Sequence, residues 1–543
     1  MTLKEKILKT FVVTIRDINA HGGPEEFFKK YPVGGLFYRE FYDGPFDENG
    51  NEIGTGFSRE KFELCKKYAP KDMLVCADVV AIEGQMDIGA DERTLSAADC
   101  DELSYNWGKT IGMQCNSQGV DWILAPCMDM YFTNTMPLMA ITDDPELTAR
   151  IYRNVVRGIQ DQGVCATVKH FPGLGTDSMN MHYAPGRNIL PFDKWMDTYG
   201  YTYKEVFKES PACVMNTHTA LRSYDNDFTD GYFPVATFSK KLNVDLLRDT
   251  LGFKGAIITD ALIMGGSAVG NSAEEAAQAF KCGADFLLWP PIEAADRIEE
   301  LILSGEIPMS RLDEALERIE ALKNMRREAI KNKVADEPSA DFVNDTLKNL
   351  VTKAICNLRN ERNLLPIDTG KYKNILLIDA STQDKEANFN NNRSMAKDEG
   401  DSQIDISVKL LKAELEKEDL NVKVVRGIHD VGSRVCWQPD ADKLQEGQDL
   451  VIFNVRGNYL SNWNNTFMSI WGSHMYDKAK KVIIIYGSPF FAPECFPEDP
   501  TVIEMNCEPT PYSVSELAKK LLGKSEFEGK TVLHHLKDGV LNV

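Results

Sequence analysis

The chain has 543 residues, of which 43% are hydrophobic and 26% are charged. This length and composition exclude a single small module and a mainly disordered chain, and they allow two to four domains with sizeable cores, or fewer if one is a large barrel. The 82 acidic residues outnumber the 61 basic ones, and because the resulting net charge of −21 disfavours binding to phosphate backbones, no nucleic acid partner is expected.

The beginning of the chain and its cysteines predict a cytoplasmic protein. Met1 to Ala20 alternate charged and apolar residues and lack the apolar stretch of a secretory signal peptide. No window offers the roughly 18 uninterrupted apolar residues of a membrane-spanning helix, so no membrane partner is expected. The 12 cysteines include no CxxC pair, and several lie in apolar runs where a reduced thiol behaves as a small hydrophobe.

Up to residue 335, short apolar runs alternate with amphipathic segments of helical length. The segments Asp101–Asn116, Pro145–Asp161, Ser239–Thr250 and Ser272–Lys281 have the apolar spacing of helices. Eight runs have the composition of buried strands: Val12–Ile15, Gly34–Tyr38, Leu74–Ala77, Trp122–Ala125, Ala166–His170, Cys213–Asn216, Ala256–Thr259 and Phe286–Trp289. Successive βα units of this number predict a (β/α)8 TIM barrel of the α/β class over residues 1–335.

A second alternation of helix and strands follows the charged segment Arg311–Pro338, which is typical of a terminal barrel helix and a linker. The first element of this part is a predicted helix, Val343–Arg359. Five predicted strands follow: Ile375–Asp379, Val422–Val425, Leu450–Val455, Lys481–Tyr486 and Thr501–Met505. This pattern predicts a C-terminal α/β sandwich domain over residues 336–543, in which the polar stretch Thr382–Asp401 forms a loop.

Polar side chains end or directly follow five of the predicted barrel strands. In a barrel of this kind the active site lies at the C-terminal ends of the strands. The residues in these positions are Asp78, Asp129, Lys169, His170, His218 and Asp260. A single polar residue there could belong to an ordinary junction between strand and loop, whereas convergence at five strands favours a functional site.

The segment Lys169–Gly175, with the sequence Lys-His-Phe-Pro-Gly-Leu-Gly, predicts an irregular loop directly after a strand. Its glycines permit positive φ and its proline removes a backbone donor, so the chain leaves the strand without regular pairing. Such a loop can carry a later histidine, His182, over the mouth of the barrel. A phosphate cradle is disfavoured because neither a Gly-Lys-Ser/Thr nor a GxGxxG pattern follows.

Three features together resemble family 3 glycoside hydrolases, and more closely their β-N-acetylglucosaminidase (β-N-acetylhexosaminidase) branch. They are the Lys-His-Phe-Pro-Gly segment at Lys169–Gly173, the histidine twelve residues after His170, and the run Gly252–Ala261. Shorter matches are Pro32–Gly35, Ala125–Asp129 and Gly283–Asp285. The resemblance covers the predicted barrel in order, and the distal domain is similar to the α/β sandwich domain of that family.

The resemblance implies two catalytic residues. Asp260 occupies the position of the nucleophile of a retaining mechanism, which forms a covalent glycosyl-enzyme. His182 occupies the position of the general acid/base, a role that suits an imidazole because it titrates near neutrality. The alternatives are a helix N-cap at Asp260 and an exposed loop histidine at His182.

The resemblance also implies a sugar-binding pocket. Lys169 and His170 match residues that hydrogen-bond sugar hydroxyls, with buried polar strand ends as the alternative. Asp78 resembles the aspartate that binds the distal hydroxyls of the terminal sugar. The remaining residues expected to bind substrate are Asp129, His218 and Met264. No metal site and no cofactor are implied, because retaining glycoside hydrolysis requires neither.

Two positions depart from the pattern of the branch. Asn180 stands where an aspartate two residues before the histidine would orient His182 and stabilise its charged form, so a slower or lower-pH acid/base step is expected. Asp177 lies in the same loop and is a candidate substitute. The stretch Asn134–Pro145 lacks the arginine that contacts the sugar, whose place is near Met139, which predicts altered or weaker substrate preference.

These features predict a retaining glycoside hydrolase that releases terminal β-linked sugars, above all N-acetyl-β-D-glucosamine. One alternative keeps the nucleophile but changes the sugar or the acceptor, as in a β-glucosidase, a glycoside phosphorylase or a transglycosylase. A second alternative is a catalytically weakened sugar-binding protein, motivated by Asn180 and the missing arginine. The expected partner is a small carbohydrate, and a homodimer is a candidate assembly.

Overall fold

The computed structural model describes residues 1–38, 58–78, 82, 85–132, 140–177, 179–228, 233–267, 272–337, 339–381, 404–426, 428–431, 434–437, 441–456, 480–487 and 501–534. The chain divides into two compact units. The first comprises Met1–Ile82, Ser104–Pro137 and Thr148–Ser339, and the second comprises Glu83–Leu103, Leu138–Leu147 and Ala340–Val543. The second unit thus includes two segments before residue 335, which the sequence pattern did not indicate.

The first unit is built on a parallel sheet. Its strands are β1 Phe11–Val13, β2 Gly35–Phe37, β3 Leu74–Ala77, β4 Trp122–Ile123, β5 Cys165–Phe171, β6 Gly186–Asn188, β7 Cys213–Asn216, β8 Thr219–Leu221, β9 Ala256–Thr259 and β10 Leu287–Leu288. Eight of them pair in the order β10-β1-β2-β3-β4-β5-β7-β9, while β6 and β8 pair with each other. A parallel bridge between Ile258 and Phe286 joins the ends of the large sheet. The predicted (β/α)8 barrel is confirmed.

Helices alternate with the barrel strands. Their bounds are Leu3–Leu8, Ile15–Ala20, Pro24–Lys30, Arg59–Tyr68, Asp101–Gln118, Pro145–Asp161, Phe192–Trp195, Met196–Gly200, Tyr201–Val206, Lys241–Thr250, Ala273–Lys281, Ala294–Leu303 and Met309–Asn332, with short 3-10 turns at Phe207–Glu209, Ala236–Phe238 and Gly265–Ser267. Ser272 caps its helix by accepting a hydrogen bond from the backbone N–H of Glu275, whose carboxylate binds back to Ser272. This capping box explains where the predicted helix begins.

The interior of the barrel is apolar because parallel strands are covered on both faces and therefore carry continuous apolar runs. Trp122 is fully buried there, and its ring lies against Phe286 with 4.7 Å between the ring centroids. Cys76, Cys165 and Cys213 belong to the same cluster. Burial raises the pKa of the Cys165 thiol to about 12, so this side chain packs as a neutral hydrophobic group.

A buried ion network closes the N-terminal end of the barrel at Asp285, just before β10. One carboxylate oxygen accepts hydrogen bonds from Arg248 Nη2 at 2.7 Å and from the Ile257 N–H at 2.9 Å. The other accepts from Arg311 Nη2 at 2.8 Å and from Arg318 Nη1 at 3.1 Å. The match of Gly283–Asp285 to the family pattern therefore falls on a structural element rather than on the site at the opposite end of the strands.

We expect Asp285→Ala to lower the free energy of unfolding of the barrel by about 3–5 kcal/mol, because it leaves three arginines without their buried counter-charge. Asp296→Ala is the matched control, since its carboxylate is exposed and pairs with Lys4 at the surface. This control should change the free energy by less than about 1 kcal/mol. Denaturant titration of both variants measures the difference, and equal effects would contradict the prediction.

The second unit contains a mixed sheet. Its strands are β11 Ile355–Asn360, β12 Asn374–Asp379, β13 Asn421–Arg426, β14 Ile428–Val431, β15 Arg434–Trp437, β16 Leu450–Arg456, β17 Lys480–Tyr486 and β18 Thr501–Met505. Six strands pair in the order β11-β18-β17-β16-β12-β13, and β14 pairs with β15. Its helices are Gln85–Ile88, Arg93–Ala98, Ala340–Ala354, Ile406–Glu416, Ala441–Gln445 and Pro511–Leu521. These elements confirm the predicted α/β domain.

One predicted helix of this unit was too long. The helix expected over Val343–Arg359 ends at Ala354, and β11 begins at the next residue and pairs antiparallel with β18. The helical spacing of apolar residues continues past Ala354, so periodicity alone did not mark the end of the helix. Pairing with a distant strand decides the conformation there.

The predicted loop Thr382–Asp401 lies outside the described residues. In the described part of the chain, no helix combines the length and the apolar character needed to cross a membrane.

Candidate active site

The polar residues predicted from strand ends all lie at the C-terminal end of the barrel. Asp78 follows β3, Asp129 follows β4, Lys169 and His170 are part of β5, His218 follows β7 and Asp260 follows β9. They act on one another electrostatically: the charges of Lys169, His170 and Asp260 all influence the pKa of Asp78. The structure therefore places these side chains at one end of the barrel, as their positions at the strand ends predict.

Asp260 presents a nearly buried carboxylate at the mouth of the barrel, with 8% of the residue exposed. Its Oδ2 accepts a hydrogen bond from the Thr217 hydroxyl at 2.6 Å, and its Oδ1 accepts from the Ala261 N–H at 2.8 Å. Burial alone would raise the pKa of Asp260, but the rings of His170 and His218 together with these hydrogen bonds lower it below the ordinary value. The carboxylate is therefore ionised at neutral pH.

No helix begins at Asp260 in the described chain, because the next helical turn is Gly265–Ser267. The N-cap alternative for this residue therefore has no support in the local structure.

Lys169 and Asp78 form an ion pair beside Asp260. Burial would lower the pKa of Lys169, but the carboxylate of Asp78 and the neighbouring Cys127 raise it above the ordinary value. Burial would likewise raise the pKa of Asp78, and Lys169 lowers it instead. The pair therefore stays charged and supplies fixed donors and acceptors of the kind that sugar hydroxyls bind.

Asp129 lies behind His170 and holds its ring. Asp129 is fully buried; its Oδ2 is 2.7 Å from His170 Nδ1, and its Oδ1 accepts the Leu174 N–H at 2.7 Å. The Cys127 thiol donates to the same Oδ2 at 3.0 Å. Asp129 thus fixes the orientation of His170 and of the loop that follows it.

His218 and Met264 are both buried, and the ring of His218 influences the pKa of Asp260. His218 Nδ1 lies 2.8 Å from the Thr237 hydroxyl, and its Nε2 lies 3.0 Å from the carbonyl oxygen of Ala261. Both ring nitrogens are therefore engaged within the protein, so the ring acts on the site through its position against Asp260. Met264 belongs to the apolar cluster that also contains Leu174 and Met181.

His182 lies in the loop after β5, and Asn180 holds it. The Asn180 side-chain oxygen accepts from the His182 backbone N–H at 3.0 Å and lies 2.8 Å from His182 Nδ1. This contact assigns the Nδ1 proton to the bond with the amide and directs Nε2 away from Asn180. Asp177 does not take this place: it accepts the Arg187 backbone N–H at 2.8 Å and lies 3.6 Å from the Arg187 Nε.

Two consecutive glycines after Asp260 dock the loop that carries His182. The Gly265 N–H donates to the His182 carbonyl at 3.0 Å, and the Gly266 N–H donates to the Met181 carbonyl at 2.8 Å. A Cβ atom at Gly266 would lie 2.4 Å from the Met181 oxygen, so a larger residue would push the loop away. Sequence reasoning missed this contact, although the Gly-Gly pair soon after the strand was a visible sign of close backbone approach.

One predicted feature of the site lies outside the described residues. The position near Met139, where the resemblance places an arginine, belongs to residues 133–139, of which the structure gives no description. The effect of the missing arginine on substrate preference therefore stays a prediction.

Comparison with known proteins decides the family. Residues 19–322, more than half of the chain, match the family described as "Glycosyl hydrolase family 3 N terminal domain". The chain belongs to glycoside hydrolase family 3. The resemblance derived from the sequence motifs is confirmed, and the matched range contains every residue predicted for the site.

Relatives within family 3 have related names. The chain is 28% identical over 292 residues to a "Beta-N-acetylglucosaminidase/beta-glucosidase" of Cellulomonas fimi, covering 50% of each chain. It is 28% identical over 244 residues to "Beta-hexosaminidase A" of Pseudoalteromonas piscicida, covering 43% of this chain and 40% of that protein. The matched part of the chain thus spans half or less of the length of these two relatives.

Two solved structures share the fold along nearly the whole chain. A β-N-acetylglucosaminidase from Paenibacillus sp. str. FPU-7 aligns with a TM-score of 0.74 at 22% identity, covering 98% of this chain and 99% of that chain. A "Beta-glucoside phosphorylase BglX" aligns with a TM-score of 0.76 at 21% identity, covering 99% and 94%. At this level of identity the likeness establishes the two-part architecture alone.

Proposed function

We propose that this chain is a retaining glycoside hydrolase that releases terminal β-linked sugars through a covalent intermediate on Asp260. The observation that carries the proposal is the state of this carboxylate. It is ionised, almost buried, held by one hydroxyl and one backbone N–H, and in no ion pair among the described residues. An anionic oxygen presented in this way at the mouth of a barrel can attack an anomeric carbon.

In the first step, an Asp260 oxygen forms a bond to the anomeric carbon as the bond to the leaving-group oxygen breaks. Protonated His182 donates its Nε2 proton to that oxygen, while Nδ1 keeps its bond to Asn180. In the second step, His182 takes a proton from water, the water oxygen bonds to the anomeric carbon, and the Asp260 carboxylate leaves. The configuration of the sugar is retained because two displacements occur.

The groups around Asp260 account for sugar recognition and for stabilisation of the transition state. The Lys169 ammonium donates one hydrogen bond to Asp78, so the pair offers two remaining N–H donors and carboxylate acceptors to ring hydroxyls, and His170 adds an imidazole nitrogen. Two carboxylates, Asp260 and Asp78, face the positive charge that develops on the sugar in the oxocarbenium-like transition state. Asp129 supports this arrangement by orienting His170.

N-acetyl-β-D-glucosamine is the sugar we propose. The support comes from the names of relatives, several of which are β-hexosaminidases or β-N-acetylglucosaminidases, while one name also includes β-glucosidase. The substrate is thus a small carbohydrate. Residence in the cytoplasm and assembly as a homodimer stay predictions.

A second candidate is phosphorolysis, in which phosphate replaces water in the second step. The observation that favours it is that His182 has an uncharged partner, Asn180. Neither side chain carries a negative charge, so the two repel an anionic acceptor such as phosphate less than a carboxylate acid/base with a carboxylate partner would. Reaction with and without inorganic phosphate distinguishes the two outcomes, because phosphorolysis yields a sugar 1-phosphate and hydrolysis yields the free sugar.

Trapping of the intermediate tests the proposed function. Incubation with fluorinated, slowly hydrolysed aryl β-glycosides of several sugars should add one sugar mass to the intact protein, and peptide mapping should place it on Asp260. Asp260→Asn is the control and should remain unlabelled. Sugar binding without label or turnover on any glycoside would instead support the sugar-binding protein.

Asn180→Asp is expected to move the alkaline limb of the pH profile of kcat/KM upward by about one pH unit. The reason is that a carboxylate stabilises the protonated ring of His182, so the acid form needed for the first step persists to higher pH. Asn180→Ala, which removes the acceptor without adding charge, should lower the rate without this upward shift. An unchanged alkaline limb in Asn180→Asp would show that Asn180 does not set the charge of the acid.

A further inference from the structure

A thiol, a carboxylate and an imidazole converge just beneath the proposed sugar-binding side chains. Cys127 Sγ lies 3.0 Å from Asp129 Oδ2 and 3.8 Å from His170 Nδ1, and these nitrogen and oxygen atoms are 2.7 Å apart. The three ligand atoms come from two neighbouring strand ends and lie within 4.8 Å of one another. The sequence implied no metal site, because retaining glycoside hydrolysis requires none and no spacing motif joins Cys127 and His170.

These three atoms form a donor set that thiophilic divalent ions prefer. Zn²⁺ binds thiolate, imidazole and carboxylate in tetrahedral geometry, at about 2.3 Å to sulfur and about 2.0–2.1 Å to nitrogen and oxygen. Such an ion would hold its ligand atoms about 3.3–3.6 Å apart. Each observed separation differs from this spacing by less than about 0.7 Å, which small rotations of side chains can supply.

We propose that Cys127, Asp129 and His170 form a binding site for Zn²⁺ or a similar thiophilic cation, and that an ion bound there inhibits the enzyme. The inhibitory part rests on the proposed function, whereas binding of the ion does not. The fourth coordination position would belong to water. His170 is the most exposed of the three residues, at 8%, whereas Cys127 is 2% and Asp129 0% exposed.

Binding of the ion changes few contacts outside the triad. Asp129 Oδ1 can keep its hydrogen bond to the Leu174 N–H, because the ion takes the other oxygen. With His170 neutral and its proton on Nδ1, coordination releases the Cys127 thiol proton to solvent and moves the His170 proton from Nδ1 to Nε2. One proton is therefore released for each ion bound, as expected for coordination by a thiolate.

Occupation of the site would oppose catalysis in two ways. His170 would present Nε2–H to the sugar and could no longer accept a hydrogen bond from a hydroxyl through that nitrogen. The dication would also add positive charge beside Asp260, whose carboxylate already feels the His170 ring. Positive charge disfavours the oxocarbenium-like transition state and makes the nucleophile less reactive.

Titration with Co²⁺ tests the binding part without any need for turnover. The full chain should develop a thiolate-to-cobalt absorption band that saturates at one ion per chain, that Zn²⁺ abolishes and that Mg²⁺ leaves unchanged. Cys127→Val and the smaller change Cys127→Ser should both lose the band. Cys100→Ala is the matched control, because Cys100 is the partly exposed cysteine among the described ones, and this variant should keep the band.

A band that survives both Cys127 variants, or no band in the parent chain, would overturn the proposal.

An inhibition assay tests the second part of the proposal. Zn²⁺ should inhibit hydrolysis of an aryl glycoside, and inhibition of Cys127→Ser should require at least about tenfold more Zn²⁺ than inhibition of the parent chain. Equal inhibition of both proteins would overturn the inhibitory role. If the chain shows the band but no glycosidase activity, the proposed function has failed and the metal site stands.

Discussion

Replacing Asp260 with asparagine is expected to lower kcat/KM for aryl β-glycosides by about 10⁴-fold or more, as loss of a nucleophile does in other covalent mechanisms. The amide has the size of the carboxylate: its oxygen can still accept the Ala261 N–H, and its NH2 group can donate to the Thr217 hydroxyl oxygen once that hydroxyl has rotated. It lacks the charge and the nucleophilic oxygen that the first step needs. The loss therefore reports chemistry rather than misfolding.

The matched control for this variant is Asp227→Asn. Asp227 is exposed and pairs with Lys241, so its substitution should leave kcat/KM unchanged. Both variants should melt at the temperature of the parent chain. An Asp260→Asn protein that keeps the activity of the parent would refute the assignment of the nucleophile, provided that careful purification excludes contaminating enzyme.

His182→Ala should have an effect that depends on the leaving group. For poor leaving groups, which need a proton as the bond breaks, kcat/KM should fall by about 10²–10⁴-fold. For dinitrophenyl glycosides, which leave as stable anions, the first step should slow by less than about tenfold. His182 is exposed and contacts Asn180 through its ring, so its removal leaves the core intact.

The comparison of the two substrates serves as the internal control for His182→Ala. A variant damaged in its fold would lose activity toward both classes by the same factor. Such an equal loss would contradict the acid/base role, as would full activity toward a poor leaving group. The steady-state rates should also reveal slow release of the intermediate, because His182 activates the water of the second step.

Much of the barrel could be predicted from sequence because its strands are buried on both faces. Leu74–Ala77, Cys213–Asn216 and Ala256–Thr259 were predicted with the bounds that the structure gives, since each is a short apolar run that ends in a polar residue or is directly followed by one. Position at a strand end also pointed to Asp260, because parallel strands deliver their C-terminal residues to one edge.

The remaining features depend on contacts between distant parts of the chain. The triad of Cys127, Asp129 and His170 is formed by residues of two strand ends, and no spacing rule joins them. Sequence could not show that both nitrogens of His218 are engaged inside the protein, since that depends on Thr237 and the Ala261 carbonyl. Strand β11 escaped prediction for the same reason: its pairing with β18 outweighs local helical spacing.

The docking of the His182 loop on Gly265 and Gly266 couples access to the pocket with the placement of the acid. Because the two amides follow the nucleophile on the same stretch of backbone, any outward movement of the loop withdraws His182 from a sugar at Asp260. Two backbone hydrogen bonds are worth about 1–3 kcal/mol in all, so these bonds alone would leave roughly one molecule in six to one in 160 undocked at equilibrium. The leaving group could then depart through the same movement of the loop that withdraws His182. Water would reach the acid/base only after the loop has docked again.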